Sequence, residues 1–327
     1  MQQDQPGKNR EKTIRAIMGV ILAAIIIISV VFVFISYQNN QNVKTSRVVS
    51  IDGKGDYSSI HEAVDSASDN DTIFVSKGIY FENINITKPL ELIGEDKDTT
   101  IIDGNGSSVV IDISADYVKI SGFTITNSGS VPADGIKIGS SYDTISDCNI
   151  SLNKNYGIYL YPNPKASNNI IKFDTFYENG YGIYTNNANV NNISSNIFTY
   201  NTQYGVYLEL SSNDNILSEN RFTDNNYAIR VRGSMLNTII NNWILNNNYG
   251  LYFCCGGRDN IAYDNVFMNN AYWNANDAIG NTWDNGVVGN YWDDYTGVDE
   301  NGDGIGDTSY SVYGGSNLDN YPLMQPI

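Results

Sequence analysis

Six copies of one short phrase begin at Gly135, Gly157, Gly182, Gly205, Ala228 and Gly250, at spacings of 22, 25, 23, 23 and 22 residues. A fixed period in this range marks a solenoid, in which each repeat buries its apolar side only by stacking on its neighbours. The phrases read GIKIG, GIYLY, GIYTN, GVYLE, AIRVR and GLYFC. Positions two and four are apolar throughout except at Thr185, and position three is Lys, Tyr, Tyr, Tyr, Arg, Tyr. That alternation is a short strand with one face in and one face out. It points Ile136, Ile158, Ile183, Val206, Ile229 and Leu251 inward, and Lys137, Tyr159, Tyr184, Tyr207, Arg230 and Tyr252 outward.

Each copy also carries three registered polar positions. The first is Asn169, Asn191, Asn215, Asn237 and Asn260; the second is Asp174, Asn196, Asn220, Asn242 and Asn265; the third is Asn179, Asn201, Asn225, Asn247 and Asn270. Asn tolerates the left-handed backbone a sharp corner needs, and stacked Asn side chains hydrogen-bond along a column. Apolar positions lie between the corners at Phe176, Phe198, Phe222, Ile244 and Phe267. No copy holds a long stretch of 3.6-residue periodicity, so a helical repeat is excluded. The fold class read from these columns is all-β, a parallel β-helix with three short strands and three corners per coil. Less regular coils are expected over 71–128 and a degenerate last coil over 273–295. The total is about nine coils, a stack roughly 43 Å tall.

A stack of open strands needs covered ends. Ser59-Ile60-His61-Glu62 matches a helix capping box, and Ile60, Ala63, Val64 and Ala67 then share one face. A capping helix over 59–68 follows, with His61, the only histidine, beside that face.

Residues 16–35 are 20 uncharged, almost wholly apolar positions, enough to span a bilayer, and Lys8, Arg10, Lys12 and Arg15 precede them. The expectation is a cytoplasmic N-terminus at 1–15, a single-pass membrane anchor at 16–36, a polar linker at 37–47, an extracellular β-helix at 48–295 and a tail at 296–327. A net charge of −17 argues against a nucleic-acid partner. Cys148 and Cys254 lie in copies too far apart for a disulfide, so free thiols are expected.

Residues 53–104 (GKGDYSSIHEAVDSASDNDTIFVSKGIYFENINITKPLELIGEDKDTTIIDG) resemble the opening of pectin-lyase-like right-handed β-helix proteins. The tail NYWDDYTGVDENGDGIGDTSY, with DNYPLM near the end, is similar to the NosD-type β-helix group of archaeal cell surfaces. The resemblance covers roughly residues 48–324 and implies a right-handed parallel β-helix. The group's namesake is a periplasmic protein linked to copper delivery, and wider relatives include carbohydrate-binding proteins and sugar hydrolases. Copper selects His, Met or Cys, and apart from His61 the exported part offers only Met235, Met268, Met324, Cys148 and the pair Cys254-Cys255. Copper is therefore not the expected cofactor.

The motif series of pectin methylesterases and polygalacturonases is absent. A glycosidase needs two carboxyl groups flanking one bond, and the strand with the Tyr column offers one, Glu209, beside Arg230 and Arg232. No catalytic residue is assigned. The candidate ligand-binding face is Tyr159, Tyr184, Tyr207, Glu209, Arg230, Arg232 and Tyr252, with a polysaccharide or cell-envelope glycan as partner. A second column, Tyr156, Tyr181, Tyr204, Tyr227, Tyr249 and Tyr272, reads as corner packing. The alternatives are a polysaccharide lyase or glycoside hydrolase with a non-standard site, and a copper-maturation accessory. In the tail, Asp299, Asn301, Asp303, Ile305 (through its carbonyl) and Asp307 match the early ligand positions of an EF-hand-type Ca²⁺ loop. Tyr310 stands where that loop needs Glu, so a structural Ca²⁺ is an expectation without its bidentate ligand.

Overall fold

The chain winds into a parallel β-solenoid. A computed structural model describes residues 45–130, 132–162 and 166–326. The anchor assigned to 16–36 lies outside them, and among the described residues no helix is long and apolar enough to cross a membrane. Three parallel sheets of ten, ten and nine strands run the length of the stack, each strand pairing with its counterpart one coil away. We call them sheets 1, 2 and 3 in the order the chain visits them within a coil: Ile170–Lys172, Thr175–Tyr177 and Tyr181–Asn186 are one coil's contribution. Sheet 1 has ten strands, and a bridge from Ile261 to Thr282 adds an eleventh rung. The stack is therefore about 11 turns and about 48 Å tall. The nine coils expected fall short because coiling starts at Ser46–Val49, before the capping helix.

The inward positions read from the repeat are the core. Ile136, Ile158, Ile183, Val206, Ile229 and Leu251 are all 0 % exposed. Sheet 2 adds a column in which Phe176, Phe198 and Phe222 stack at 4.7 Å, nearly parallel. Thr185, the polar exception, is buried and gives its hydroxyl to the Tyr207 carbonyl.

All three Asn columns form continuous hydrogen-bond ladders. In the second, the backbone N–H and the side-chain amide of Asn196 both donate to Asn220 Oδ1, and the same amide also donates to the Ile171 carbonyl one coil back. The amides all point one way, so each ladder needs an acceptor at its C-terminal end. Asp277 accepts from Asn281, Asp319 accepts from Asn290, and Asp293 and Asp294 accept from Asn274. The left-handed backbone lies one residue before each ladder position rather than on it. Phe173, Glu178, Val190, Tyr200 and Leu236 all have φ between 52° and 60°. For a β-branched Val this conformation is costly, roughly 1–2 kcal/mol. Asn is selected for its hydrogen bonds, and the corner strain falls on a neighbour of almost any type.

Helix α1 (Ile60–Ser66) closes the N-terminal end with Ile60, Ala63 and Val64 buried. Ser59 caps it as expected by accepting from the Glu62 N–H, but the carboxylate at its start belongs to Glu82, which accepts from the Ile60 and His61 N–H groups. His61 lies on its exposed side, 3.3 Å from Asp65. The last coil is present, with Trp273–Asp277 in sheet 3 and Tyr291–Trp292 in sheet 2. The tail then covers it. Tyr310–Ser311 and Leu318–Asp319 pair antiparallel, and Tyr310 stacks on buried Trp292 at 4.2 Å. The tail is thus the C-terminal cap of the stack.

Candidate functional site

The outer face of sheet 3 carries the candidate site. In the phrase YGIYT, Tyr181 and Tyr184 both emerge outward because Gly182 and Ile183 both face the core. A Cβ on Gly182 would meet the Gly205 carbonyl at 2.5 Å and Phe198 Cδ1 at 2.7 Å, so this coil is packed too closely there for a side chain, although two coils on Ala228 fills the same repeat position. The two Tyr columns, read separately in the sequence, therefore share one face. Registers run Tyr156↔Tyr181↔Tyr204↔Tyr227↔Tyr249↔Trp273 and Tyr159↔Tyr184↔Tyr207↔Arg230↔Tyr252.

The columns interlock. Tyr156 stacks on Tyr184 at 4.4 Å, Tyr204 on Tyr227 at 4.9 Å and Tyr227 on Tyr249 at 4.3 Å. This packing corrects the picture of a simple outward stripe. Tyr184, Tyr204 and Tyr207 are only 9 %, 8 % and 6 % exposed and form a second hydrophobic cluster outside the barrel. Tyr156, Tyr159, Tyr181, Tyr227 and Tyr252 keep partly exposed surfaces. Tyr272, placed by sequence in the second column, is displaced from it by Trp273 and is exposed.

Two charged groups are set into this aromatic layer. Glu209 accepts from Tyr184 Oη at 2.5 Å, Tyr207 Oη at 2.9 Å and Arg232 Nη1 at 2.5 Å. Burial works to raise the Glu209 pKa, but the hydrogen bonds from Tyr184, Tyr207 and Arg232 outweigh it and hold the group below its usual value. Burial and the bonds to Glu209 together push the Tyr184 and Tyr207 hydroxyls up. Glu209 and Arg232 are thus more than a surface ion pair. Arg230 lies among the rings of Tyr204, Tyr207 and Tyr252, with its guanidinium carbon 5.1–5.6 Å from their centres. Its Nη1 donates to Tyr204 Oη at 2.6 Å.

Toward the N-terminal end the face turns from aromatic to charged, which sequence reasoning missed. Asp112 is in register with Lys137 and lies 3.5 Å from its Nζ. Asp134 is buried and accepts from Asn155 Nδ2 at 2.8 Å. Burial pushes its carboxyl up to about 6. Lys137 also lies 4.6 Å above the Tyr161 ring. The signal was available in the register, since Asp134 falls two residues before the strand Ile136–Ile138, where the next coils carry Tyr156 and Tyr181.

In the tail loop, Asp299 accepts from the N–H groups of Gly302, Asp303 and Gly304, while Asp307 accepts from Glu300 N–H. Asn301 donates its side-chain amide to Asp303 Oδ2, while Asn301 Oδ1 accepts from the Asp303 N–H and Asp303 Oδ1 from the Ile305 N–H. Among the described residues no group of three or more His, Cys, Asp or Glu is placed to hold a metal ion.

Residues 64–297, more than half the chain, match the family described as periplasmic copper-binding protein (NosD). The chain belongs to the NosD family. Its fold is a right-handed parallel β-helix, as the resemblance implied. Among solved structures it is similar to the mannuronan C-5 epimerase AlgE6 A-module of Azotobacter vinelandii, at 14 % identity and a TM-score of 0.51, covering 66 % of this chain and 73 % of that one. A Paenibacillus alginate lyase covers 71 % of this chain and 94 % of that one, at 14 % identity and a TM-score of 0.47. Among curated proteins, a pectinesterase/pectinesterase inhibitor 18 of Arabidopsis thaliana is 39 % identical over 100 residues, 28 % of this chain and 16 % of that protein. The Arabidopsis putative pectinesterase/pectinesterase inhibitor 22 is 43 % identical over 65 residues, 18 % of this chain and 12 % of that protein. The match thus spans under a fifth of the length of these curated relatives.

The family description raises copper, and among the described residues the soft donors Cys148, Cys254, Met235 and His61 do not fit it. Cys148 is fully buried. Cys254 Sγ already accepts from Arg230, a cation that opposes a second positive charge. Met235 Sδ accepts from Arg258, and His61 is on the capping helix.

Proposed function

We propose that this protein is a saccharide-binding β-helix whose tyrosine face takes an extended polysaccharide without cleaving it. One observation carries the reading: two interlocked columns of aromatic rings cover the outside of sheet 3 from Tyr156 to Trp273, with Arg230 and Arg232 set among them. Flat rings with polar tips suit the apolar faces and hydroxyl edges of sugars, and the buried rings hold the exposed ones rigid. The Arg230 guanidinium, in no ion pair with a carboxylate among the described residues, favours an acidic chain. In this reading the solenoid is displayed outside the cell on the N-terminal anchor. Titration of the full chain with acidic and neutral oligosaccharides, read by tyrosine fluorescence and calorimetry, tests it. Binding is expected to weaken at least tenfold in Tyr227→Ala and Arg230→Gln. No binding to any saccharide by wild type overturns the reading.

A second reading has its own support. Asp134, whose carboxyl burial pushes up to about 6, lies in the field of Asp112 beside Lys137, and a buried carboxyl with a raised pKa suits general-acid chemistry on a glycoside. Release of reducing or unsaturated sugar ends, lost in Asp134→Asn, would favour it over binding alone. For the tail loop we propose a structural Ca²⁺, which would have to compete with the backbone donors now on Asp299. A melting temperature unchanged by a chelator would exclude that ion.

A further inference from the structure

Cys254 and Cys255 lie at the edge of the tyrosine face and have no part in the saccharide reading. Cys254 faces outward on the strand Tyr249–Cys254, directly opposite Arg232 and diagonal to Arg230. Arg230 Nε and Nη2 both donate to Cys254 Sγ, at 3.4 and 3.5 Å. Arg232 is neutralised by Glu209, but among the described residues Arg230 forms no ion pair with a carboxylate. A half-buried guanidinium that offers two N–H groups to sulfur, in a chain of net charge −17, calls for negative charge at the thiol pair. Cys254 is buried, Cys255 is exposed on the turn that follows, and neither is in a disulfide.

We propose that Cys254-Cys255 is a reactive dithiol in which Cys255 is the thiolate nucleophile toward anionic organic disulfides, with Cys254 and Arg230 positioning the charge. In the reaction the Cys255 Sγ electron pair attacks one sulfur of the disulfide. A protein–reagent S–S bond forms, the reagent's S–S bond breaks, and one thiolate leaves. Cys255 is oxidised to the mixed disulfide and half of the reagent is reduced to thiol. The local chemistry agrees. The neighbouring Cys254 thiol lowers the Cys255 pKa, burial opposes this, and Arg230 and Arg232 lower it further. Burial raises the Cys254 pKa, and its sulfur is withdrawn from solvent, which leaves Cys255 as the accessible thiol of the pair.

The test uses the full chain and 5,5′-dithiobis(2-nitrobenzoate), a doubly anionic disulfide whose leaving thiolate absorbs visible light. An ordinary thiol is about 1 % ionised at pH 6.5, and after allowing for the lower nucleophilicity of an acidic thiolate the expected gain is about tenfold. At pH 6.5 the folded protein should release one equivalent about tenfold faster than the same chain in urea, with the adduct mapped to Cys255. Cationic cystamine should lose that advantage, and Arg230→Gln should remove it for the anionic reagent. A folded rate no faster than the unfolded one, or an adduct on Cys148, overturns the proposal. If Arg230→Gln fails to fold, the wild-type comparison of anionic with cationic reagent decides: equal rate gains for the two refute the role of Arg230.

Discussion

Asp174 stands where each later rung of its ladder carries Asn, so Asp174→Asn probes the ladder in the stabilising direction. The residue is fully enclosed. Its Oδ1 accepts from the Cys148 N–H at 2.8 Å, and its Oδ2 has no partner. On the next rung, the Asn196 amide donates both to the Ile171 carbonyl and to Asn220 Oδ1. An amide at 174 would by analogy gain the Ile145 carbonyl and Asn196 Oδ1, two hydrogen bonds worth about 1 kcal/mol each. Burial also raises the Asp174 pKa well above its ordinary value. A carboxyl whose folded pKa is raised holds its proton longer in the folded state, so stability falls as pH rises from the unfolded pKa toward the folded one. The cost accrues at about 1.4 kcal/mol per unit, and it vanishes in the Asn variant. Near pH 4 the neutral acid already supplies one donor, so the gain should be about 1 kcal/mol. At pH 8 it should reach about 3 kcal/mol or more. Urea unfolding followed by tryptophan fluorescence at both pH values measures it. A variant equal to or weaker than wild type at pH 8, or a gain that ignores pH, refutes the reasoning.

The same ladder predicts that Asn220→Ala, which strands the Asn196 N–H, one Asn196 amide hydrogen and the Ile193 carbonyl, costs about 3–5 kcal/mol in the same urea assay. Gly182→Ala should cost about 2 kcal/mol or more, since its Cβ meets backbone at 2.5 Å, and the melting temperature will show it. Glu209→Ala should lose about 1–3 kcal/mol at pH 7. Because the folded pKa of Glu209 is lowered, that loss should shrink as pH falls below about 4, which an acid titration of both proteins would reveal.

Much of this architecture was legible because a solenoid repeats its constraints. Ile158, Ile183 and Val206 announce themselves as inward by sharing one phase of one phrase, and they are the core. The Asn columns were equally plain, but their role was misjudged. A side chain type does not reveal which residue of a corner takes the positive φ, and it falls on Phe173 and Val190 rather than on Asp174 and Asn191. The site was legible as a list and not as an arrangement. Tyr156 and Tyr159, three residues apart, share a face only because Gly157 and Ile158 both turn inward. Sequence alone therefore determined the period, the core and the three polar corners, since these follow from alternation and repeat length. Tertiary structure alone decided that two tyrosine columns fuse into one layer, that Glu209 is buried between two phenols, and that Asp134 joins Asp112 and Lys137. Those depend on which side chains meet across coils and how far each is withdrawn from water, quantities that no spacing along the chain encodes.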